Sequence, residues 1–377
     1  MDASSNLASL FCVGLSGHAL SDEDKRMLSR GVGGIVLFSR NVDTPEQVAA
    51  LIEDAREYAG TDVLACVDQE GGNTVRLEYG FTKIPSMRAL GKAIAEEGSD
   101  LSLAIEVGQC FGHELREVGF DMDFAPVLDV DTNPNNPVIG ERSIGNDPDQ
   151  VAAIGQKFIE GLQSQGIIAC GKHFPGHGDT SQDSHFDLPR LPHAMDRMET
   201  IELLPFRQVI SQDGDEGGLA IMTAHVVFEA IDENLPGTLC HEVLTAQLRG
   251  SLGFRGLCVS DCMEMKAIAD GKPWGGTVGA SVRAIQAGVD FVTVCHTHTV
   301  MHGAVDAVEK AAQSGDLSEE RIAQALARLE LAREFRRSQR SREIEPFQAS
   351  ARFKAFVASG ADEGGVDPTW EAVGGLG

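Results

Sequence analysis

Residues 120–129 read FDMDFAPVLD, and residues 149–174 read DQVAAIGQKFIEGLQSQGIIACGKHF. The first is an apolar run of strand length. In the second, an amphipathic segment, Asp149–Gln165, leads through Gly166 into another apolar run, Ile167–Phe174. Strand, helix, strand is the unit that builds parallel sheets. Working outward, the same alternation fills the chain. Candidate strands lie at Leu10–Leu15, Gly34–Phe38, Val63–Asp68, Phe120–Asp129, Ile167–Phe174, Leu219–Val226, Leu257–Asp261 and Phe291–Cys295. Between them the pattern predicts helices at Thr44–Tyr58, Leu101–Val118, Asp149–Gln165, Met198–Ser211, His241–Leu252, Val278–Ala287 and Val300–Ser314, with a short one from Ser21 to Gly31. Thr44 before Pro45 and Glu46, and Ser21 before Asp22, are helix-start signals.

Eight strands alternating with eight helices predict an α/β fold: a single (β/α)8 TIM-type barrel. An open doubly wound sheet is the alternative. It would have fewer strands and a phosphate-cradling turn after the first, and GLSGHAL (14–20) matches that turn weakly. The segment 317–337, LSEERIAQALARLELAREFRR, predicts a long helix with basic last turns, a helical extension of the barrel. The barrel is expected over residues 1–340. Residues 341–377 turn polar and Gly-rich and are expected to be a tail, too short for a separate domain.

Composition narrows the function. Among 377 residues, 31 Lys and Arg against 57 Asp and Glu leave a formal charge of −26. Nucleic acid and anionic membrane call for clustered cations, so neither is expected as a partner. The eight cysteines form no CxxC pair. Cys12, Cys66, Cys170, Cys258 and Cys295 sit in apolar runs, where a free thiol acts as a small hydrophobe. No basic-then-apolar leader opens the chain, and no apolar run reaches membrane-spanning length. A reduced, cytoplasmic protein is expected.

In a barrel, the chemistry collects at the C-terminal ends of the strands. Those positions hold Asp68, then Asp129 and Asp131, then Lys172 and His173, then His225, then Asp261. A lone strand-end Asp often merely caps the next helix; five such ends with Asp, His or Lys are harder to dismiss. From Pro175 to about Asp196 runs a loop, PGHGDTSQDSHFDLPRLPHAMD, with neither helical nor strand period. Such loops act as lids or binding loops, and Gly176 and Gly178 permit a hinge. Within it Asp183 and His185 are two residues apart, a spacing at which the carboxylate can fix the imidazole tautomer and raise its pKa.

Two other chemistries compete for these residues. His173, His177 and His185 with Asp179 or Asp183 could bind zinc, but Phe-Pro-Gly breaks the helix that would align them, and Lys172 adds a positive charge. A Schiff-base lysine aldolase could use Lys172, but leaves Asp261 and the long loop without a role. No metal and no cofactor are expected.

KHFPGHGDTSQDSH (172–185), VDQEGG (67–72), FAPVLDVDTNPNNPVIGERSIG (124–145) and VSDCMEM (259–265) together closely resemble glycoside hydrolase family 3, within it the bacterial β-N-acetylglucosaminidases of the NagZ type. The resemblance covers roughly residues 8–335 and implies the same barrel. It implies that Asp261 is the catalytic nucleophile, His185 the general acid/base and Asp183 its dyad partner. It also implies that Asp68, Arg76, Arg142, Lys172 and His173 hold the sugar in the −1 subsite. Many two-domain members draw their acid/base Glu from a second domain; here the acid is expected from the barrel loop. Asn73, PGTLC (236–240) and Asp270–Gly275 depart from the usual pattern and bear on substrate preference.

The implied reaction is retaining hydrolysis of a terminal β-linked N-acetylglucosamine, on a muropeptide or a chitin-oligomer fragment. Nearby Lys172 or Arg142 would help keep Asp261 ionised. A family 3 β-glucosidase is the near alternative, as is a phosphorylase, because a neutral His185 would not repel phosphate as a carboxylate would. A metal-dependent barrel hydrolase and a non-catalytic sugar-binding barrel are the alternatives from other classes.

Overall fold

The computed structural model describes residues 3–96, 98, 100–213, 217–344 and 347–360. Its strands are β1 (Phe11–Gly14), β2 (Gly34–Leu37), β3 (Leu64–Val67), β4 (Met122–Asp123), β5 (Ile168–Phe174), β6 (Arg190–Leu191), β7 (Leu219–Thr223), β8 (Val227–Phe228), β9 (Leu257–Val259) and β10 (Val292–Val294). Eight of them pair in the order β10-β1-β2-β3-β4-β5-β7-β9, every neighbouring pair parallel. A Val259–Phe291 bridge brings the two ends together into a barrel, as the alternation predicts.

The period of two along each strand separates two cores. Cys12, Val36, Cys66, Met122, Cys170, Met222 and Val259 cluster inside the barrel. Val13, Ile35, Val67, Ala169 and Ile221 belong to the outer cluster shared with the helices. All eight cysteines are free, and seven are buried, as the apolar runs imply. Local chemistry starts the helices where the sequence places them. Thr44 accepts the Gln47 N–H at the start of Pro45–Ala59, and Ser21 and Asp24 form a reciprocal capping box. Each such cap is worth about 1 kcal/mol. The turn after β1 holds no anion cradle: the Asp24 carboxylate itself accepts the Ser16 N–H at 3.1 Å.

The long helix Glu319–Arg340 does more than extend the barrel. Its Leu329, Ala332 and Phe335 join the interior cluster and plug the N-terminal end.

Several elements differ from the sequence reading. β4 is short because Pro126 has no N–H to give the ladder, although pairing resumes at Val127 and Lys172. The helix expected at Met198–Ser211 is two, Met195–Thr200 and Leu204–Gln212, with Pro205 in the first turn of the second. A further helix, Met87–Glu96, precedes Ser102–Glu117. Part of the expected tail forms the helix Ala351–Ser359, which buries Phe353 and Phe356 and packs on Ser102–Glu117. The Gly-rich residues 361–377 lie outside the described residues. Among the described residues, no helix is long and apolar enough to cross a membrane.

Candidate active site

A cleft of about 1020 Å3 opens at the C-terminal mouth of the barrel. The eight side chains that the resemblance assigns to the site line it: Asp68, Arg76, Arg142, Lys172, His173, Asp183, His185 and Asp261. The parallel ladder is the reason. Strands running the same way deliver residues far apart in sequence to one rim.

One side of the cleft is an ionic network. Lys172 Nζ lies 2.7 Å from Asp68 Oδ1 and 2.5 Å from Glu70 Oε1. Arg142 grips Glu70 with two bonds, at 2.8 and 2.9 Å. Arg76 lies 3.7 Å from Asp68. Burial pushes the Glu70 carboxyl up in pKa, but Arg142 and Lys172 override it and hold Glu70 well below the usual range. Glu70 is buried and bridges two residues of the predicted sugar site, yet it escaped the sequence reading. Its only signal is its place two residues beyond Asp68.

A second layer orients the imidazoles. His173 Nδ1 donates to the buried Asp129 at 2.7 Å, which leaves Nε2 on the cleft side, 3.5 Å from Arg142. Asp129 also takes the His177 N–H at 2.6 Å. Asp129 is thus a support behind the cleft, while Asp131 pairs with Arg88. Burial and the His173 charge lower His177 to about 4, so it is neutral near pH 7. Its ring nitrogens meet Thr180 at 2.8 Å and Ser184 at 3.2 Å and fasten the loop.

The loop departs from expectation in two ways. It contains β6, which pairs in parallel with β8. Gly178 also serves close packing rather than hinging, since a Cβ there would fall 1.9 Å from the Val130 carbonyl oxygen. Asn133 and Asn136 bind the loop backbone at Thr180 O and His177 O, at 3.1 and 2.9 Å. Asp179 takes His193 and Arg197 at 2.6 and 3.0 Å.

Asp183 Oδ1 accepts both the backbone N–H and the Nδ1–H of His185, at 2.8 and 2.7 Å. Burial disfavours a charged imidazole, but the Asp183 bond, then the Asp183 and Asp261 charges, raise the His185 pKa. Asp261 follows β9 and accepts the Cys262 N–H at 2.7 Å. Burial acts to raise its pKa, yet the imidazoles of His225, His173 and His185 bring it down to about 2. This corrects the expectation that Lys172 or Arg142 keeps Asp261 ionised: Lys172 is committed to Asp68 and Glu70, and Arg142 to Glu70. His225, noted only as a strand-end residue, stands behind the carboxylate and donates from Nε2 to the Cys262 carbonyl at 3.0 Å.

His173, His177 and His185 are thus each held by a different partner. Among the described residues, no group of three or more His, Cys, Asp or Glu is arranged to hold a metal ion.

An ionised carboxylate and a carboxylate-held imidazole line one barrel mouth, a pair suited to nucleophilic attack and proton donation to a leaving group. The chain belongs to glycoside hydrolase family 3, matching the "Glycosyl hydrolase family 3 N terminal domain" over residues 6–331. It is 38% identical over 285 residues to a β-hexosaminidase of Nitrosomonas eutropha, covering 75% of this chain and 79% of that one. A β-hexosaminidase of Thiobacillus denitrificans is 41% identical over 288 residues, 75% and 77% of the two chains. Among solved structures, a family 3 β-N-acetylglucosaminidase from a Paenibacillus species superposes with a TM-score of 0.85 at 39% identity, over 95% of this chain and 68% of that one. NagZ from Neisseria gonorrhoeae, solved with N-trifluoroacetyl-D-glucosamine, superposes at 0.70 with 30% identity, over 86% and 97%.

Proposed function

We propose that this glycoside hydrolase is an exo-β-N-acetylglucosaminidase that cleaves terminal non-reducing β-linked N-acetylglucosamine with retention of configuration. The activity accords with the β-hexosaminidase and β-N-acetylglucosaminidase relatives. One observation carries the residue roles: Asp261, His185 and the Lys172–Glu70–Arg142 network line the same cleft. Asp261, ionised above about pH 2, attacks the anomeric carbon and forms a glycosyl-enzyme. His185, protonated at Nε2 and held at Nδ1 by Asp183, gives its proton to the leaving oxygen. The neutral imidazole then takes a proton from the incoming water. Asp68, Arg76, Arg142, Lys172 and His173 bind the sugar hydroxyls, where charged partners make the stronger bonds.

The substrate class is a short soluble saccharide, a muropeptide or chitin-oligomer fragment, met in the cytoplasm. Residues 1–340 act as the catalytic unit. A panel of nitrophenyl glycosides, assayed with and without a chelator, tests the reading. The N-acetylglucosaminide should turn over fastest, and chelation should change nothing. Faster turnover of the glucoside would reassign the specificity, and loss of activity on chelation would return the metal reading.

A further inference from the structure

Cys262 directly follows Asp261, and its thiol lines the sugar cleft together with that of Cys295. The chain leaving β9 runs beside β10, with Met263 N–H donating to Thr293 O at 2.9 Å. Glu264 Oε2 accepts the N–H groups of both Cys295 and His296, at 2.8 and 2.6 Å. These bonds fasten residues 262–264 to 295–296. As a result Cys262 packs against the interior cluster that holds Cys295, and both line the same wall of the cleft as His296. Arg40 completes the cluster, donating to Cys295 O at 2.7 Å and approaching His296 Nδ1 at 3.4 Å.

The cluster divides the labour of its two thiols. The bond from Cys295 and the bond and charge of His296 stabilise a Cys262 thiolate against its burial and the Glu264 charge, lowering its pKa to about 6. The same bond, with burial, pushes Cys295 up. A thiol that opens to the cleft and is held acidic, packed near a second thiol held protonated, has the arrangement of an attacking and a resolving cysteine.

We propose that Cys262 and Cys295 form a modification site for peroxides within the sugar cleft, and that their disulfide reversibly stops the hydrolase. The Cys262 thiolate attacks one peroxide oxygen, the O–O bond breaks, and the departing hydroxide takes up a proton as water. Cys262 is then a sulfenic acid. The Cys295 sulfur attacks the Cys262 sulfur, the S–O bond breaks, and the oxygen leaves as a second water carrying the Cys295 proton. Two thiols are oxidised by two electrons and one peroxide is reduced. The new bond draws Cys262 toward Cys295. That displaces the Cys262 N–H that Asp261 accepts and the Cys262 carbonyl that His225 holds.

The test is hydrogen peroxide added to the full chain, followed by mass mapping of the thiols and assay on a nitrophenyl glycoside. Peroxide should cross-link the peptides bearing Cys262 and Cys295. Turnover should fall by at least about tenfold, and dithiothreitol should restore it. Before oxidation, at mildly acidic pH, iodoacetamide should label Cys262 roughly ten times faster than any other cysteine. In Cys295→Ala the cross-link should be absent, and dimedone should trap Cys262 as its sulfenic acid. A cross-link to another cysteine, a Cys262 left reduced, or equal inactivation of Cys262→Ala would overturn the proposal. So would a disulfide that forms with turnover intact. The mass map does not depend on which glycoside is cleaved, so it separates this proposal from the substrate assignment.

Discussion

At the N-terminal end of the barrel, Asp290 and Asp121 are fully buried among arginines; at the C-terminal end, Asp261 faces imidazoles and an open cleft. Asp290 takes Arg249 at 2.6 Å, Arg321 at 2.5 Å and Arg328 at 3.1 Å, besides the Cys258 N–H at 3.0 Å. Asp121 takes Arg56 at 2.5 Å and Arg340 at 3.0 Å, besides the Ala65 N–H at 2.9 Å. Most of these arginines ride on Glu319–Arg340, whose apolar side plugs the barrel. The lower carboxylates are thus tied to fixed protein charges, which makes a clamp. Asp261 accepts one short backbone bond and is kept ionised by rings that also line or flank the cleft. Residues of one chemical type lock one end of the barrel and are poised to react at the other. What decides is which end of the strand they occupy and whether their partners are fixed cations or titratable imidazoles.

The sharpest way to break this contrast is Asp261→Asn. Turnover should fall by at least about a thousandfold, because the nucleophile is gone while its shape remains. The chain should still fold, since Asn keeps the shape of the side chain. A mechanism-based fluoro-sugar should label the peptide carrying Asp261 in the wild-type enzyme; a label on Asp129 or Asp131 would end the assignment.

Asp290→Ala probes the other end. It strands three arginines in a buried site, so unfolding free energy should drop by about 3–5 kcal/mol. Turnover per folded molecule should stay within about twofold, since nothing at the cleft changes. Urea titration paired with initial rates measures both. If the rate collapsed while the midpoint held, the two ends would not be separate in function.

His185→Ala comes next. A poor leaving group needs the acid and a nitrophenolate hardly does, so the loss should be about a hundredfold on a disaccharide and under about tenfold on a nitrophenyl glycoside. Equal losses would make His185 structural.

The smallest effect is on pH dependence. His185 acts protonated and its pKa is raised, so kcat/KM should fall as pH climbs through a value above that of a free imidazole. Asp261 acts ionised with a pKa of about 2, so the nucleophile adds no acid limb above about pH 3. Asp183→Asn removes the charge that raises His185, so the alkaline limb should move to lower pH. An unchanged limb would mean that another group titrates there.

Much of this was legible beforehand. The barrel strands were placed because alternation is a local signal, and the caps at Ser21 and Thr44 rest on bonds within three residues. The strand-end list led to the cleft because parallel strands share a polarity. Other features were hidden. The helix Met87–Glu96 lies outside the one-helix-per-strand rhythm. Gly178 read as a hinge because only the neighbouring Val130 carbonyl reveals the close approach. Glu70 has no signal in the sequence beyond its place after Asp68, and only the fold brings Lys172 and Arg142 onto it.

The sequence by itself determined the barrel, since periodicity and caps are properties of neighbours along the chain, and its motifs carry the family resemblance that points to Asp261, Asp183 and His185. Only the tertiary structure decided which charges act on which. Asp261 is ionised by His173, His185 and His225 rather than by Lys172 or Arg142, and the basic face of Glu319–Arg340 closes on buried aspartates rather than on water. The physical reason is that electrostatic interaction depends on distance and burial through space. Residues dozens of positions apart in the chain acquire both only when the barrel closes.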